Sequence, residues 1–271
     1  TKISKFLSVK KKLQKSFDIG RNKNSLKKKI IAIVPARSGS KGIKDKNLKK
    51  ISKFNLLSWA IKAALKSKKI KDVYVSTDSK KYAEKSKKYG AKVPFIRPKN
   101  ISKDDSSDLE LFIHAIKEIF KTDKKIKYVV HLRPTTPFRD PKILDKAIKA
   151  FEKNKNFHSL RSVQEMNESA IKSVVLIKKN KIVPIIKKSS NLDYYNKPRQ
   201  AFKKTYICNG YIDIYKIDFI RKQKLLLGKK VFAFKTPNTI EIDGINDLQM
   251  CRMLINYDKN IKNIKKKIFI K

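Results

Sequence analysis

The chain has 271 residues, 40% of them hydrophobic, enough for a globular protein of one large or two small domains. Lys and Arg number 69 against 23 Asp and Glu, a formal charge of +46; spread evenly among many Ile and Asn residues, that excess reads as compositional drift and lacks the clustered stripe of a nucleic-acid binder. Two cysteines without metal-type spacing, no stretch of membrane-span length and no continuous apolar run of signal-peptide length predict a cytoplasmic protein.

Residues 1–29 carry eleven cations and one acid around scattered apolar positions such as Phe6, Leu7 and Leu13, and read as a loosely attached basic extension. The core begins at Ile30. Ile30 to Val34 is a short β-branched run, the composition of a strand buried on both faces, and it stops at Pro35. The following loop holds Arg37, Ser38, Gly39, Ser40, Lys41, Gly42, Lys44 and Lys46. Glycine lets backbone N–H groups turn toward a ligand and the cations neutralise what those amides hold, so the loop suits a polyphosphate. Gly39, Gly42, Gly210 and Gly244 sit beside polar clusters in a chain with only seven glycines, which predicts unusual backbone angles there.

Helical periodicity over Leu56 to Leu65 is followed by a strand at Val73 to Ser76, a helix at Tyr82 to Tyr89 ended by Gly90, and a third strand at Val93 to Ile96. That rhythm predicts a mostly parallel α/β sheet sandwiched by helices, with ligands at the carboxyl ends of the strands. A polar loop from Arg97 through Asp104 leads to a helix, Leu109 to Phe120, capped by Ser107 or Asp108. The strand Tyr128 to Leu132 runs into Arg133-Pro-Thr-Thr-Pro-Phe-Arg139, where two prolines present two arginines. His114 and His131 read as packing residues.

After a helix at Ile143 to Phe151 and a strand at Ser159 to Val163, residues 164–204 weaken into short strands and a polar stretch, the pattern of an insert. Ile207 to Tyr215 resumes as a strand interrupted at Asn209-Gly210, a bulge signal. A short helix near Ile217 to Lys222 and a strand at Val231 to Phe234 follow. In the extended segment Glu241-Ile-Asp243 the two carboxylates share one face, which suits Mg²⁺ with phosphates supplying further oxygens; the competing reading is that Asp243 caps the helix Ile245 to Leu254. The main domain spans 30–258, and 259–271 reads as a basic tail.

These motifs, in order, resemble the acylneuraminate cytidylyltransferases, the CMP-sialic acid synthetases and their legionaminic and pseudaminic relatives. The resemblance is carried by Ile33-Val-Pro-Ala-Arg-Ser-Gly-Ser-Lys-Gly42 with Lys46-Asn47, Val75-Ser-Thr-Asp78, Arg97-Pro98, Leu132-Arg-Pro-Thr-Thr-Pro-Phe-Arg139, Pro198-Arg-Gln200, Asn209-Gly210 and Glu241-Ile-Asp243. It implies a Rossmann-like fold of the nucleotide-diphospho-sugar transferase type, a homodimer formed through the 164–204 insert, and transfer of CMP from CTP to a nonulosonic acid with Mg²⁺. By the same resemblance Arg37 and Lys41 bind the triphosphate. Ser38, Gly39, Ser40, Asn47, Arg97 and Asp104 contact the nucleotide, with Arg97 on the cytidine side, and Lys46 supports the loop. Glu241 and Asp243 hold the metal, Asp243 also aiding deprotonation, while Arg133, Arg199, Asn209 and Asp213 face the sugar.

Three positions depart from the family. Glu241 replaces a common aspartate, Arg133 a common glutamine, and Asp213 a tyrosine found in some members. These changes leave cytidylyl transfer in place and open the choice of sugar, with ketodeoxyoctonate as an alternative acceptor.

Overall fold

The computed structural model describes residues 29–40 and 42–270; the expected extension up to residue 28 and Lys41 lie outside the described residues. In chain order the elements are β1 (Lys29–Pro35), β2 (Lys50–Ile51), β3 (Phe54–Asn55), α1 (Leu56–Leu65), β4 (Asp72–Ser76), α2 (Lys80–Lys88), α3 (Asp108–Phe120), β5 (Ile126–His131) and α4 (Pro141–Lys153). There follow β6 (Ser159–Glu165), β7 (Val174–Ile177), β8 (Lys181–Pro184), β9 (Tyr206–Lys216), α5 (Ile217–Gln223), β10 (Val231–Lys235), α6 (Ile245–Tyr257) and α7 (Lys259–Phe269).

Six strands form the main sheet in the order β10-β6-β9-β5-β1-β4. β1 is parallel to both β4 and β5, β10 is parallel to β6, and β9 alone runs antiparallel, between β5 and β6. The alternation along β1 accounts for the layers: Ile30, Ala32 and Val34 enter one apolar cluster, Ile31 and Ile33 the other. The first cluster packs α1, α4, α6 and α7, and the second packs α3 and α5. β1 is thus the interior strand, buried on both faces, that its composition predicts.

Local signals explain the element boundaries. Asn55 caps α1 by accepting from the Ser58 amide at 2.8 Å, and Gly90 closes α2 at φ 98°. Ser107 caps α3 and forms a reciprocal pair with Glu110, so the cap is complete without Asp108.

Two expectations need correction. Val93 to Ile96 is not a strand; only Lys92 makes a single bridge, to Tyr74, because Pro94 lacks the N–H that a ladder requires. Residues 259–269 are not a tail. Asp258 caps α7, Ile268 is buried, and Phe269 stacks on Phe54 at 3.6 Å between ring centroids and meets Trp59 edge-on at 4.7 Å. The lysines mask the helical spacing of Ile261, Ile264 and Ile268, and the body therefore extends to this last helix.

His131, on β5, is buried with Nδ1 3.2 Å from the Tyr215 hydroxyl and 4.0 Å from Asp108. Burial, reinforced by Arg133, Arg139 and Arg161, holds it well below the usual histidine range. A base whose folded pKa is depressed binds its proton more readily when unfolded, so stability is lost as pH falls below the ordinary value near 6.5. Urea midpoints at pH 7.5, 6.5 and 5.5 should show a loss approaching about 1.4 kcal/mol per pH unit below pH 6.5. The slope should flatten in His131→Gln. An unchanged slope would mean that another group governs it.

Candidate active site

A cavity of about 460 Å³ opens at the carboxyl ends of β1 and β5, the crevice where parallel α/β sheets place ligands. Its first wall is the loop after β1, which is pinned at several points. Ser38 donates through both its amide and its hydroxyl to the Asp78 carboxylate, each at 2.8 Å. Asn47 donates to the Arg37 carbonyl at 3.0 Å, and the Tyr82 hydroxyl donates to Asp45 at 2.9 Å. Lys46 crosses 196 residues of sequence to donate to the carbonyls of Ile242 at 3.0 Å and Asp243 at 3.3 Å.

Those contacts join the basic loop to the acidic segment. Gly42 permits the approach, since a Cβ there would lie 2.9 Å from the Asp243 carbonyl. Of the four glycines expected to need unusual angles, only Gly210 has positive φ, at 63°. Gly42 is required for close approach, whereas Gly39 lies in open space.

Arg37, Ser40 and Asn47 line the cavity, with Arg97 and Asp104. Arg37 makes an ion pair with Asp104. Arg97 is buried, yet its Nε and Nη2 have no hydrogen-bond partner, and burial lowers its pKa against the pull of Asp78. A buried guanidinium with orphan donors beside a cavity is a site awaiting acceptors.

Glu241 and Asp243 line the same cavity, separated by the fully buried Ile242. Glu241 accepts from the Thr135 hydroxyl at 3.3 Å. Asp243 does not cap α6: Asp247 accepts from the amides of Asp243 at 3.0 Å and Gly244 at 2.8 Å. The Asp243 carboxylate, 83% exposed, keeps only a loose 3.6 Å pairing with Lys46. Two hard oxygen donors on one side of an extended segment suit a cation that takes its remaining oxygens from phosphates.

Arg133 also lines the cavity, donating to Asp213 and Asp108 at 2.9 Å each. The other expected sugar-facing residues are elsewhere engaged. Asp213 is buried behind Arg133, so it reaches the cavity only through that side chain. Asn209 is buried, donating to Gln164 and Thr236 and accepting from the Tyr211 amide, which braces the β9 bulge. Arg199 pairs with Glu165 and does not line the cavity. Ser38 is committed to Asp78. Three residues outside the expected set matter to the arrangement: Asp78, which anchors the loop; Asp108, which lines the cavity; and Asp247, which frees Asp243. Asp78 was detectable as the acid two residues after β4, whereas nothing in the sequence assigns the cap to Asp247.

The sequence matches the cytidylyltransferase family over residues 31–241. It is 30% identical over 245 residues to the CMP-N,N'-diacetyllegionaminic acid synthase of Campylobacter jejuni, covering 89% of this chain and 99% of that one. It is likewise 30% identical over 232 residues to the pseudaminic acid cytidylyltransferase of Campylobacter jejuni, covering 83% and 96% respectively. With the N-acylneuraminate cytidylyltransferase of Escherichia coli it shares 29% identity over 245 residues, 88% of this chain but 55% of that enzyme, so it spans just over half of the longer protein. Among solved structures the fold is similar to a CMP:2-keto-3-deoxy-manno-octonic acid synthetase complexed with CTP, with TM-score 0.63, 15% identity, and coverage of 84% and 98%. The basic loop at the end of β1, the acidic segment that Lys46 ties to it, and a match running from within β1 up to Glu241 place this chain in the cytidylyltransferase family.

Proposed function

We propose that this protein joins CTP to a nonulosonic acid of the sialic, legionaminic or pseudaminic type, releasing pyrophosphate. The observation that carries the reading is Arg97: a buried guanidinium with two orphan donors in a cavity that also holds Arg37 and the Glu241–Asp243 pair. Arg97 binds the cytidine side, and Arg37 with Lys41 binds the triphosphate. Ser40 and the Asn47-braced loop position it, and Arg37 exchanges its pairing with Asp104 for the incoming phosphates. The anomeric hydroxyl of the acid then attacks the α-phosphorus in line, its proton passing toward the Asp243 carboxylate and the new O–P bond forming as the bond to pyrophosphate breaks.

Glu241 and Asp243 hold Mg²⁺. When bound, the ion supplies neutralisation of charge on the α-phosphate and the leaving pyrophosphate. Lys46 fixes the acidic segment and Gly42 lets the loop close on it. The protein works in the cytoplasm as a homodimer. The hairpin of β7 and β8 supports that assembly, with Val174, Val175, Ile177, Ile182 and Leu176 exposed, the last at 70%.

The test is pyrophosphate release from CTP and Mg²⁺ against sialic, legionaminic and pseudaminic acids and ketodeoxyoctonate. Release is expected with at least one of the three nine-carbon acids. Silence across the panel from folded protein that still binds CTP would move the acceptor outside this class.

A further inference from the structure

Asp243 is held by its backbone and left free at its carboxylate. Two peptide groups flank its Cα, one joining it to Ile242 and the other to Gly244. Both of their carbonyls accept from a single ammonium: Lys46 Nζ donates to the Ile242 oxygen at 3.0 Å and to the Asp243 oxygen at 3.3 Å. Both of their amides donate to a single carboxylate oxygen: Oδ2 of Asp247 accepts from the Asp243 N–H at 3.0 Å and from the Gly244 N–H at 2.8 Å. Each peptide plane is therefore gripped at both ends, the carbonyl by a cation and the amide by an anion.

A peptide group is rigid, so fixing the planes on either side of a Cα fixes its φ and ψ, and with them the direction of the Cα–Cβ bond. The segment cannot slide as a unit either. Ile242 is fully buried and its amide donates to the Thr135 carbonyl at 2.9 Å. The charges of Lys46 and Asp247 offset each other, which leaves the charge of Asp243 to the cavity. Remove Asp247, and the Asp243 carboxylate, 3.6 Å from Lys46, is the anion that the ammonium draws away from a bound cation.

We propose that Asp247 is the positioning residue of the metal site: by seating the two amides that bracket the Asp243 Cα, against the hold of Lys46 on the two carbonyls, it aims the Asp243 carboxylate at the cation that accompanies CTP. The inference rests on the Mg²⁺ role given above to Glu241 and Asp243, and extends that role to a side chain that does not line the cavity. Groups that orient a metal ligand from behind change metal affinity by about 10- to 100-fold when they are removed.

The experiment is calorimetric titration of CTP, with no acceptor acid present, in the presence and absence of Mg²⁺. The proteins are wild type, Asp247→Ala, Asp247→Asn, Asp243→Asn and the double variant Asp247→Ala/Asp243→Asn. The ratio of the two affinities reads the contact between metal and protein without turnover. Asp247→Ala should shrink that ratio about tenfold and leave the affinity for CTP without Mg²⁺ within about twofold. Asp247→Asn keeps an acceptor oxygen at the same reach and should stay within about threefold of wild type. In the Asp243→Asn background, Asp247→Ala should change the ratio by less than about twofold, because its effect passes through that carboxylate. A residue that only caps α6 would produce neither the loss nor the non-additivity. An unchanged ratio in Asp247→Ala, a loss in Asp247→Asn as large as in Asp243→Asn, or an effect that adds in full in the double variant would overturn the assignment. Wild type whose affinity for CTP ignores Mg²⁺ removes the metal reading and this inference with it, an outcome distinct from Mg²⁺-dependent binding that Asp247 does not affect.

Discussion

Asp243→Asn should lose about 100-fold or more in kcat, the scale seen when one preorganised charge-stabilising group is removed, while keeping the wild-type thermal midpoint. The two halves of that expectation come from different contacts. Asp243 contributes its carboxylate to the cavity and little to the fold, since Asp247 satisfies the amides at the start of α6 and the pairing with Lys46 is exposed. Lys46 holds the segment through the carbonyls of Ile242 and Asp243, which the substitution retains. Stopped-rate pyrophosphate assays beside calorimetric melting separate the two. A near-native rate, or a fall in midpoint large enough to explain the loss, would remove Asp243 from the chemistry.

Arg139→Met should do the reverse, costing about 3–5 kcal/mol of stability. Arg139 is fully buried and donates to three backbone carbonyls: Tyr211 at 2.5 Å, Gly210 at 2.9 Å, and Thr136. Burial pushes its pKa down to about 9, so it remains a cation at neutral pH. Methionine fills most of the volume but strands the three carbonyls, and a buried acceptor left unmet costs its full desolvation. Arg139→Lys should recover little, because one ammonium cannot span the fork that the guanidinium spans. Urea unfolding gives the number. A loss under about 1 kcal/mol would show that water replaces the guanidinium without penalty.

The contrast between these residues explains what the sequence made legible. β1 was readable because five consecutive buried positions leave a compositional mark, and the loop after it because glycines and cations there have few other uses. Arg37, Ser40, Arg97, Arg133, Glu241 and Asp243 all reach one cavity, as their order in the chain anticipated. Partnership was not readable. Asn209, Arg199 and Asp213 carry site-like chemistry, but each is spent on a neighbour distant in sequence, and spacing alone does not reveal that Gln164, Glu165 or Arg133 claims them. Lysine richness also hid α7, whose three isoleucines were too diluted to stand out. Pro94 was overweighed by the apolar residues around it.

The antiparallel strand β9 has a consequence for how the chain is made. It lies between β5 and β6, so until residues 206–216 leave the ribosome the nascent chain holds β4, β1 and β5 with the β5 edge uncovered, and β6 with no main-sheet neighbour. The same strand brings Asp213 to Arg133 and the Gly210 and Tyr211 carbonyls to Arg139, so synthesis of the sheet's centre also braces the cavity wall that Arg133 forms. Late, long-range pairing of this kind slows folding and leaves edges open to association, and a surplus of lysine repels other copies during that interval.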